Sequence, residues 1–173
     1  MLPDGKAIPG WDVAAEPLVY EQKKALSYGL TRCYTKQSCE NVRFAGRSLF
    51  LKAKKPSITF LIMAYQDTET AQSAYEPVWK AWSGRVPQSQ KVDLGKIGDR
   101  SDAVAGMDAS FIPGSKGVLS QVRVGSVLLL THGAAGSEVE LADSLIDKLA
   151  TAFAERAQQA KDGQTPSAGL GDV

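Results

Sequence analysis

The sequence predicts an α+β fold, an antiparallel sheet with two main helices packed on it. Two pairs of strand-like apolar segments, at residues 43 to 66 and 117 to 133, are each joined by a short turn typical of hairpins. Two longer segments repeat apolar residues at helical spacing. Hairpins and helices follow one another without a repeated strand-helix-strand unit, and this order favours antiparallel pairing.

Length and composition indicate one domain. A chain of 173 residues, 43% of them hydrophobic, is long enough to bury a substantial core. We assign residues 11 to 163 to this domain. Residues 1 to 10 contain two prolines and two glycines and are predicted to form an exposed, flexible leader. Residues 164 to 173 are predicted to form a flexible tail.

The first strands precede the first long helix. A short strand is predicted over residues 18 to 20. Strands at residues 43 to 52 and 57 to 66 flank the polar turn AKKP and form the first hairpin. The second of these strands is apolar on both faces, so we expect both of its faces to be covered.

The first long helix follows directly. Asp67 or Thr68 can cap its start, and Gly84 marks its end. Pro77 lies inside the pattern, where it removes a backbone donor, so we expect a kink or a new turn there.

The second half of the chain begins with a glycine-rich and charged stretch. A short edge strand is predicted around residues 92 to 97, and GDRSD, residues 98 to 102, is predicted to be a turn. A second hairpin follows, in which Gly125 and Ser126 form a tight turn between alternating strands.

The last helix is predicted to begin with a capping box, Ser137 to Glu140, and to end before Gly163. Its apolar positions recur at helical spacing and predict one buried stripe. These positions are Ala142, Leu145, Ile146, Leu149 and Phe153.

The two cysteines, Cys33 and Cys39, are separated by YTKQS. Zinc sites and thioredoxin-type motifs use shorter spacings, and zinc needs further Cys or His ligands. A disulfide that closes a small loop is the favoured interpretation, and it implies an oxidising compartment. Two unlinked thiols in a cytosolic protein are the alternative.

Neither the charge nor the composition of the chain indicates a cofactor. The formal net charge of +1 gives no field that would attract nucleic acid or an anionic membrane. No apolar run approaches the roughly 20 residues of a membrane span. We predict no metal site and no cofactor, and we expect a membrane association only through a lipid anchor that the sequence does not contain.

No catalytic constellation is predicted. The motif GxSxG is absent, and His132 is the one histidine available as a base. A hydrolase or transferase that uses His132 with an acidic partner is therefore the alternative function, and a non-enzymatic protein is preferred.

Three aromatic residues, Tyr75, Trp79 and Trp82, recur along the first long helix. Aromatic side chains often line grooves that bind small molecules, so these three are the predicted ligand-binding residues. The same spacing is also typical of a helix that packs its aromatic face into the core.

The N-terminus lacks the basic and apolar regions of a signal peptide. Two interpretations stay open: a cytosolic protein, or an exported one whose leader has been removed.

Four segments carry a resemblance to known proteins: LPDGKAIPGW, IGDRSDAV, VRVGSVLLLT and DKLATAFAERAQQA. From about Pro9 to Ala160 the chain resembles secreted actinobacterial lipoproteins and the extracellular sensor domains of mycobacterial receptor kinases. The sheet-and-helix fold shared by the Mog1 and PsbP proteins is a related possibility. The resemblance implies export, a disulfide, and tethering to the outer face of the cytoplasmic membrane.

The resemblance also implies a function. Such proteins take part in ligand sensing or in the control of envelope-stress signalling, so the expected partner is an envelope protein or a small-molecule ligand. The cysteine to which a lipid would be attached is missing from this sequence. No catalytic residues are transferred by the resemblance.

Overall fold

The computed structural model describes residues 1–28, 39, 41–53, 56–107, 115–135 and 141–171. Within these residues seven strands form one antiparallel sheet, and helices pack on both of its faces. The predicted α+β class with an antiparallel sheet is confirmed.

The described elements follow one another along the chain. They are β1 (Asp12–Glu21), α1 (Gln22–Ser27), β2 (Val42–Leu51), β3 (Ser57–Tyr65), α2 (Thr68–Ser83), β4 (Gln90–Val92), β5 (Arg100–Met107), β6 (Lys116–Val124), β7 (Val127–Ala134) and α3 (Asp143–Lys161). The strand order is β1-β2-β3-β7-β6-β5-β4. Two meanders therefore meet where β3 pairs with β7, and α2 carries the chain from β3 to the far edge at β4.

Both predicted hairpins are confirmed. β2 pairs with β3, and β6 pairs with β7 across the Gly125-Ser126 turn. Gly125 has a φ of 58°, a left-handed conformation that glycine adopts without steric cost. β3 lies inside the sheet, and its residues alternate between the two core clusters on opposite faces.

Helix α2 covers one face of the sheet. Its N-cap is Asp67, whose carboxylate accepts a hydrogen bond of 2.8 Å from the Thr70 backbone amide. The helix runs without interruption through Pro77 and ends at Ser83, with Gly84 as C-cap. The predicted start and end are thus confirmed.

Helix α3 covers the opposite face. It begins at Asp143 with Ala142 as N-cap, later than predicted, and Ser137 and Glu140 lie outside the described residues. Ala142 is exposed, whereas Ile146, Leu149 and Phe153 are buried against the sheet. The predicted stripe is therefore correct from the first full turn of the helix onward.

Strand β5 corrects the predicted turn at residues 98 to 102. Only Gly98 and Asp99 precede the strand; Arg100 to Met107 pair with β6 on one side, and Ala103 to Ala105 pair with β4 on the other. The segment RSDAVAGM has few β-branched residues, so its own propensity is weak. Hydrogen bonding to both neighbours makes it a strand.

The N-terminal segment differs from the exposed leader that was predicted. Leu2 and Ile8 have 6% and 1% of their surface exposed and belong to the core under α3. Arg156 of α3 donates hydrogen bonds to the carbonyls of Met1, Leu2 and Ala168. Both ends of the described chain are thereby attached to α3.

Candidate ligand-binding site

The three aromatic residues predicted to bind a ligand do not share a groove. Tyr75 and Trp82 are fully buried between α2 and the sheet, and Trp79 is partly exposed. A ligand would reach the first two only if α2 moved away from the sheet. Their helical spacing therefore reflects core packing, and the ligand-binding prediction stays open only for Trp79.

Tyr75 joins α2 to β6 through reciprocal hydrogen bonds with Gln121. The Tyr75 hydroxyl donates to the Gln121 carbonyl at 3.1 Å, and Gln121 Nε2 donates to the Tyr75 carbonyl at 2.8 Å. Burial raises the pKa of Tyr75, and the nearby negative charge of Asp102 raises it further. The phenol thus stays neutral in the folded protein and acts as a structural donor.

Charged side chains surround this contact at the surface. The Arg100 guanidinium lies 4.2 Å from the centre of the Tyr75 ring and is paired with Glu76 of α2. Asp99 is 3.1 Å from Arg123 and accepts a hydrogen bond from the Gly125 amide. This charged group holds α2, β5 and the β6–β7 turn together, so its role is structural.

His132, the base of the alternative enzymatic hypothesis, lies on β7 beneath α2. Its side chain is 1% exposed, and its ring lies edge to face against Trp82 with centroids 6.1 Å apart. A substrate could reach this imidazole only if the core opened.

The predicted disulfide falls partly outside the described residues. Cys39 is buried, and its carbonyl accepts a hydrogen bond from the Gln22 side chain of α1. Cys33 lies outside the described residues, so the pairing stays a prediction.

An open cleft of about 650 Å³ lies at the β4 edge of the sheet. The register sets Gln90 opposite Ala105 and Met107 opposite Lys116, so these side chains share the face on which α3 packs. Gly106 faces the other side of the sheet, where a Cβ would lie 2.8 Å from Ser89 Cα and 3.0 Å from Val86 Cγ1. We call this cavity the β4 cleft.

The lining of the β4 cleft combines cationic, amide and apolar groups. Its described residues are Gln88, Gln90, Lys91, Val92, Ala105, Gly106, Met107, Ser115 and Lys116. Sequence reasoning did not identify this set, because its members come from three strands and two connections. The one available signal was the predicted edge strand near Val92.

Two smaller cavities lie beside α3. One of about 330 Å³ is lined by residues including Lys96, Asp99 and Glu155, and one of about 250 Å³ adjoins the β6–β7 turn. In the cavity of about 330 Å³, the Asp99 carboxylate already pairs with Arg123 and accepts a hydrogen bond from the Gly125 amide. This carboxylate is therefore less available to a ligand.

The described residues lack two further features. They contain no group of three or more His, Cys, Asp or Glu side chains placed to hold a metal ion. None of their helices combines the length and apolarity needed to cross a membrane.

The fold has a counterpart among solved structures. No protein-family model and no curated protein matches the sequence. The structure is similar to the crystal structure of the extracellular domain of PknH from Mycobacterium tuberculosis, with a TM-score of 0.50 and 8% sequence identity. The match covers 80% of this chain and 81% of that one. The predicted resemblance is thus supported as a similarity of fold to this extracellular domain.

Proposed function

We propose that the chain is a non-enzymatic, extracellular module of the sensor type, which binds a small ligand or a partner protein of the cell envelope. The observation that carries this proposal is the fold shared with the extracellular domain of a receptor kinase over 80% of the chain. The β4 cleft is the proposed ligand site. Its volume lies within the range of about 300 to 1,000 Å³ typical of small-molecule pockets.

The geometry favours binding over catalysis. A general base has to lie within hydrogen-bonding reach of its substrate. His132 is 1% exposed beneath α2, so the hydrolase or transferase alternative requires an open core. The β4 cleft, in contrast, is open to solvent and requires no rearrangement of the helices.

The proposed location is the outer face of the cytoplasmic membrane, reached through a lipid anchor, as in the lipoproteins that the sequence resembles. A disulfide between Cys33 and Cys39 belongs to this proposal, because such bonds persist in oxidising compartments. Protease treatment of intact native cells tests the location: an extracellular protein is degraded, whereas a cytosolic marker survives.

Intact-mass measurement after alkylation tests the disulfide. We expect no alkylation of the native chain unfolded without reductant, and two alkylated thiols after reduction. Two alkylated thiols without reductant would contradict both the bond and the oxidising compartment.

Nuclear magnetic resonance of the ¹⁵N-labelled chain tests the binding function. We would titrate it with soluble muropeptides and neutral cell-wall saccharides. We expect amide shifts to concentrate at residues 88 to 92 and 105 to 107, which line the β4 cleft. Shifts confined to α2 around Trp79, or no shifts at all, would contradict the proposed site.

A matched pair of variants completes this test. Met107 and Leu18 expose 46% and 42% of their surface, and they lie at opposite edges of the sheet. Met107→Ala should weaken binding in the β4 cleft, while Leu18→Ala should leave it unchanged. Equal effects of the two substitutions would show that binding is not specific to the cleft.

A further inference from the structure

We infer that the outer edge of β1 binds an extended, basic segment of a partner protein, which adds a strand to the sheet beside residues 18 to 21. This inference rests on the proposed function, because a partner protein is one of the two kinds of ligand named there. It adds the surface and the chemistry of that partner. It does not depend on the β4 cleft, which lies at the opposite edge of the sheet.

Strand β1 is the longer of the two edges of the described sheet. Its ten residues pair with β2 on one side, and no described segment pairs with the other side. The opposite edge strand, β4, has three residues. An edge strand leaves backbone donors and acceptors available to another extended chain, which gains affinity from main-chain hydrogen bonds.

Two features protect the first part of this edge. Pro17 has no backbone N–H, and the pairing with β2 is irregular between Val13 and Leu18. Prolines and bulges of this kind prevent unwanted strand pairing. Residues 18 to 21, in contrast, pair in consecutive register with residues 44 to 47 of β2. They are therefore the part of the edge that can accept a further strand.

Large apolar side chains are exposed on both faces of the sheet at this segment. Leu18 and Val19 leave 42% and 51% of their surface exposed, and as neighbours in a strand they project from opposite faces. Phe44, which is 48% exposed, shares the face of Val19, because Val19 lies opposite Gly46. Exposed apolar groups that lie together are typical of interaction surfaces. A ligand in a groove would cover one face, whereas an added strand covers both.

The charges of β1 favour a basic partner. Asp12, Glu16 and Glu21 are exposed, and the strand contains no lysine or arginine. None of the three acids takes part in an ion pair with another described residue. Glu21 shares the face of Val19, whereas Arg47 of β2 projects from the other face. A cationic side chain of an added strand would thus meet an uncompensated carboxylate beside apolar surface, and such complementarity gives specificity.

The same charges disfavour a second copy of this chain as the occupant. Two β1 edges related by a two-fold axis would run antiparallel. Their interface would hold the three acids of each strand and no cation from either strand. Like charges that face each other across strands are destabilising. We therefore expect no dimer through this edge.

Three synthetic peptides with blocked ends test the edge. The first alternates threonine and valine between two terminal lysines, and the second has glutamates in place of the lysines. The third is the lysine peptide with alternate amides N-methylated, which removes main-chain donors. We expect the lysine peptide to shift the amides of residues 18 to 21 and 44 to 47. It should bind about tenfold more tightly than either other peptide, and more weakly as salt is added.

A charge reversal tests the recognition of basic side chains. Glu21 precedes α1 and makes no capping hydrogen bond with its side chain, so Glu21→Lys removes no such contact. The variant should weaken the lysine peptide about tenfold and strengthen the glutamate peptide by a similar factor. Misfolding cannot produce that gain. Glu155→Lys makes the same change on the exposed side of α3 and should leave both affinities within about twofold.

A pair of truncations tests the apolar contact. Val19→Ala should weaken the lysine peptide about threefold to tenfold, because it removes methyl groups that the added strand would cover. Met107→Ala, at the opposite edge, should leave the affinity unchanged. Equal effects of the two substitutions, or equal weakening of both peptides by Glu21→Lys, would overturn the inference.

Other occupants of the edge give different results. Sedimentation of the chain alone should show no dimer that depends on this edge. A dimer that Val19→Lys abolishes would show that a second copy occupies the edge, and would overturn the basic partner. Binding to phosphatidylcholine vesicles without binding of the lysine peptide would indicate a lipid surface, and would overturn it as well.

Failure of this inference and failure of the proposed function are distinguishable. If saccharides or muropeptides shift the amides of the β4 cleft and the lysine peptide shifts none at residues 18 to 21, the β1 inference is overturned and the ligand-binding function stands. If the lysine peptide alone binds, the β4 cleft is overturned and the β1 inference stands. If no probe binds, both are overturned.

Discussion

The two faces of the sheet are closed by different kinds of interaction. Under α3 the contact is aromatic and apolar: Phe60 lies edge to face against Phe50 and Phe153, with centroids 5.9 and 5.1 Å apart. Under α2 the contact includes the reciprocal hydrogen bonds of Tyr75 and Gln121 and the Arg100 guanidinium over the Tyr75 ring. Apolar burial is non-directional, whereas hydrogen bonds specify one orientation of a helix.

This difference indicates that the two faces have different roles, one in the stability of the fold and the other in the orientation of a helix. We expect the α3 face to supply more of the free energy of unfolding and the α2 face to determine how its helix sits on the sheet. Buried polar atoms without a hydrogen-bond partner lie on both faces, Trp82 Nε1 and Gln121 Oε1 under α2 and the Ser48 and Ser120 hydroxyls under α3, so they do not separate the two faces.

The largest effect should come from the centre of the α3 face. Phe153→Ala should lower the free energy of unfolding by about 3 to 5 kcal/mol, because it removes buried surface and leaves a cavity. Phe153→Leu, which keeps much of the volume, should cost less. Chemical denaturation measures both values, and a loss below about 1 kcal/mol for the alanine variant would contradict the docking of α3 on this core.

The second-largest loss of stability should come from Arg156, the polar side chain on the mainly apolar α3 face. Arg156→Met should lower the free energy of unfolding by about 2 kcal/mol, because it leaves the carbonyls of Met1, Leu2 and Ala168 without their donor. Hydrogen exchange should then accelerate at residues 1 to 8 and 164 to 171 before it does so in the sheet. Unchanged exchange at both ends would show that Arg156 does not hold them.

Alkaline pH should weaken the α2 face. Burial raises the pKa of Tyr65 and Tyr75, while the unfolded tyrosines ionise near 10, so the unfolded state releases protons first. The contribution of these two tyrosines to the free energy of unfolding should therefore be constant below about pH 10 and fall above it by up to about 1.4 kcal/mol per pH unit for each tyrosine. Tyr75→Phe should reduce this slope, and an identical slope would contradict the raised pKa.

At neutral pH the same substitution should have a modest effect. Tyr75→Phe should cost about 1 kcal/mol, the usual net contribution of one hydrogen bond, since the ring and its packing are retained. Gln121→Leu removes the reciprocal donor but also an acceptor without a partner, so its cost should be smaller. Denaturation of both variants and the double variant measures the coupling between them.

The smallest effect should come from the exposed end of α2. The hydrogen bonds from the Thr70 side chain and backbone lower the pKa of Asp67, so its charged form contributes stability above the unfolded pKa near 4 and loses it as pH falls. Asp67→Asn should therefore reduce the fall of the thermal midpoint with decreasing pH below pH 4, compared with the native chain. A parallel decline in both proteins would contradict the cap.

Local patterns predicted the elements whose cause is local. The Gly125-Ser126 turn and the Asp67 cap are each determined by neighbouring residues, and both predictions are confirmed. β5 was missed because its pairing with β4 and β6 outweighs its weak propensity. The burial of Leu2 was missed because its partner Arg156 lies 154 residues away along the chain.

The candidate site was beyond sequence reasoning for the same reason. The spacing of Tyr75, Trp79 and Trp82 fits both a groove and a core, and only the position of α2 against β6 shows that Tyr75 and Trp82 belong to the core. Lys91, Ser115 and Lys116 have no pattern in common along the chain. They come to line one cleft because β5 lies between β4 and β6.

By itself the sequence determined the α+β class, the two hairpins and the apolar faces of both long helices, because periodicity and turn chemistry act within a few residues. Tertiary structure alone decided which strands became edges, which aromatic side chains were covered and where a cleft remained. Those properties depend on contacts between distant segments, and the free energy of such contacts has no local signature.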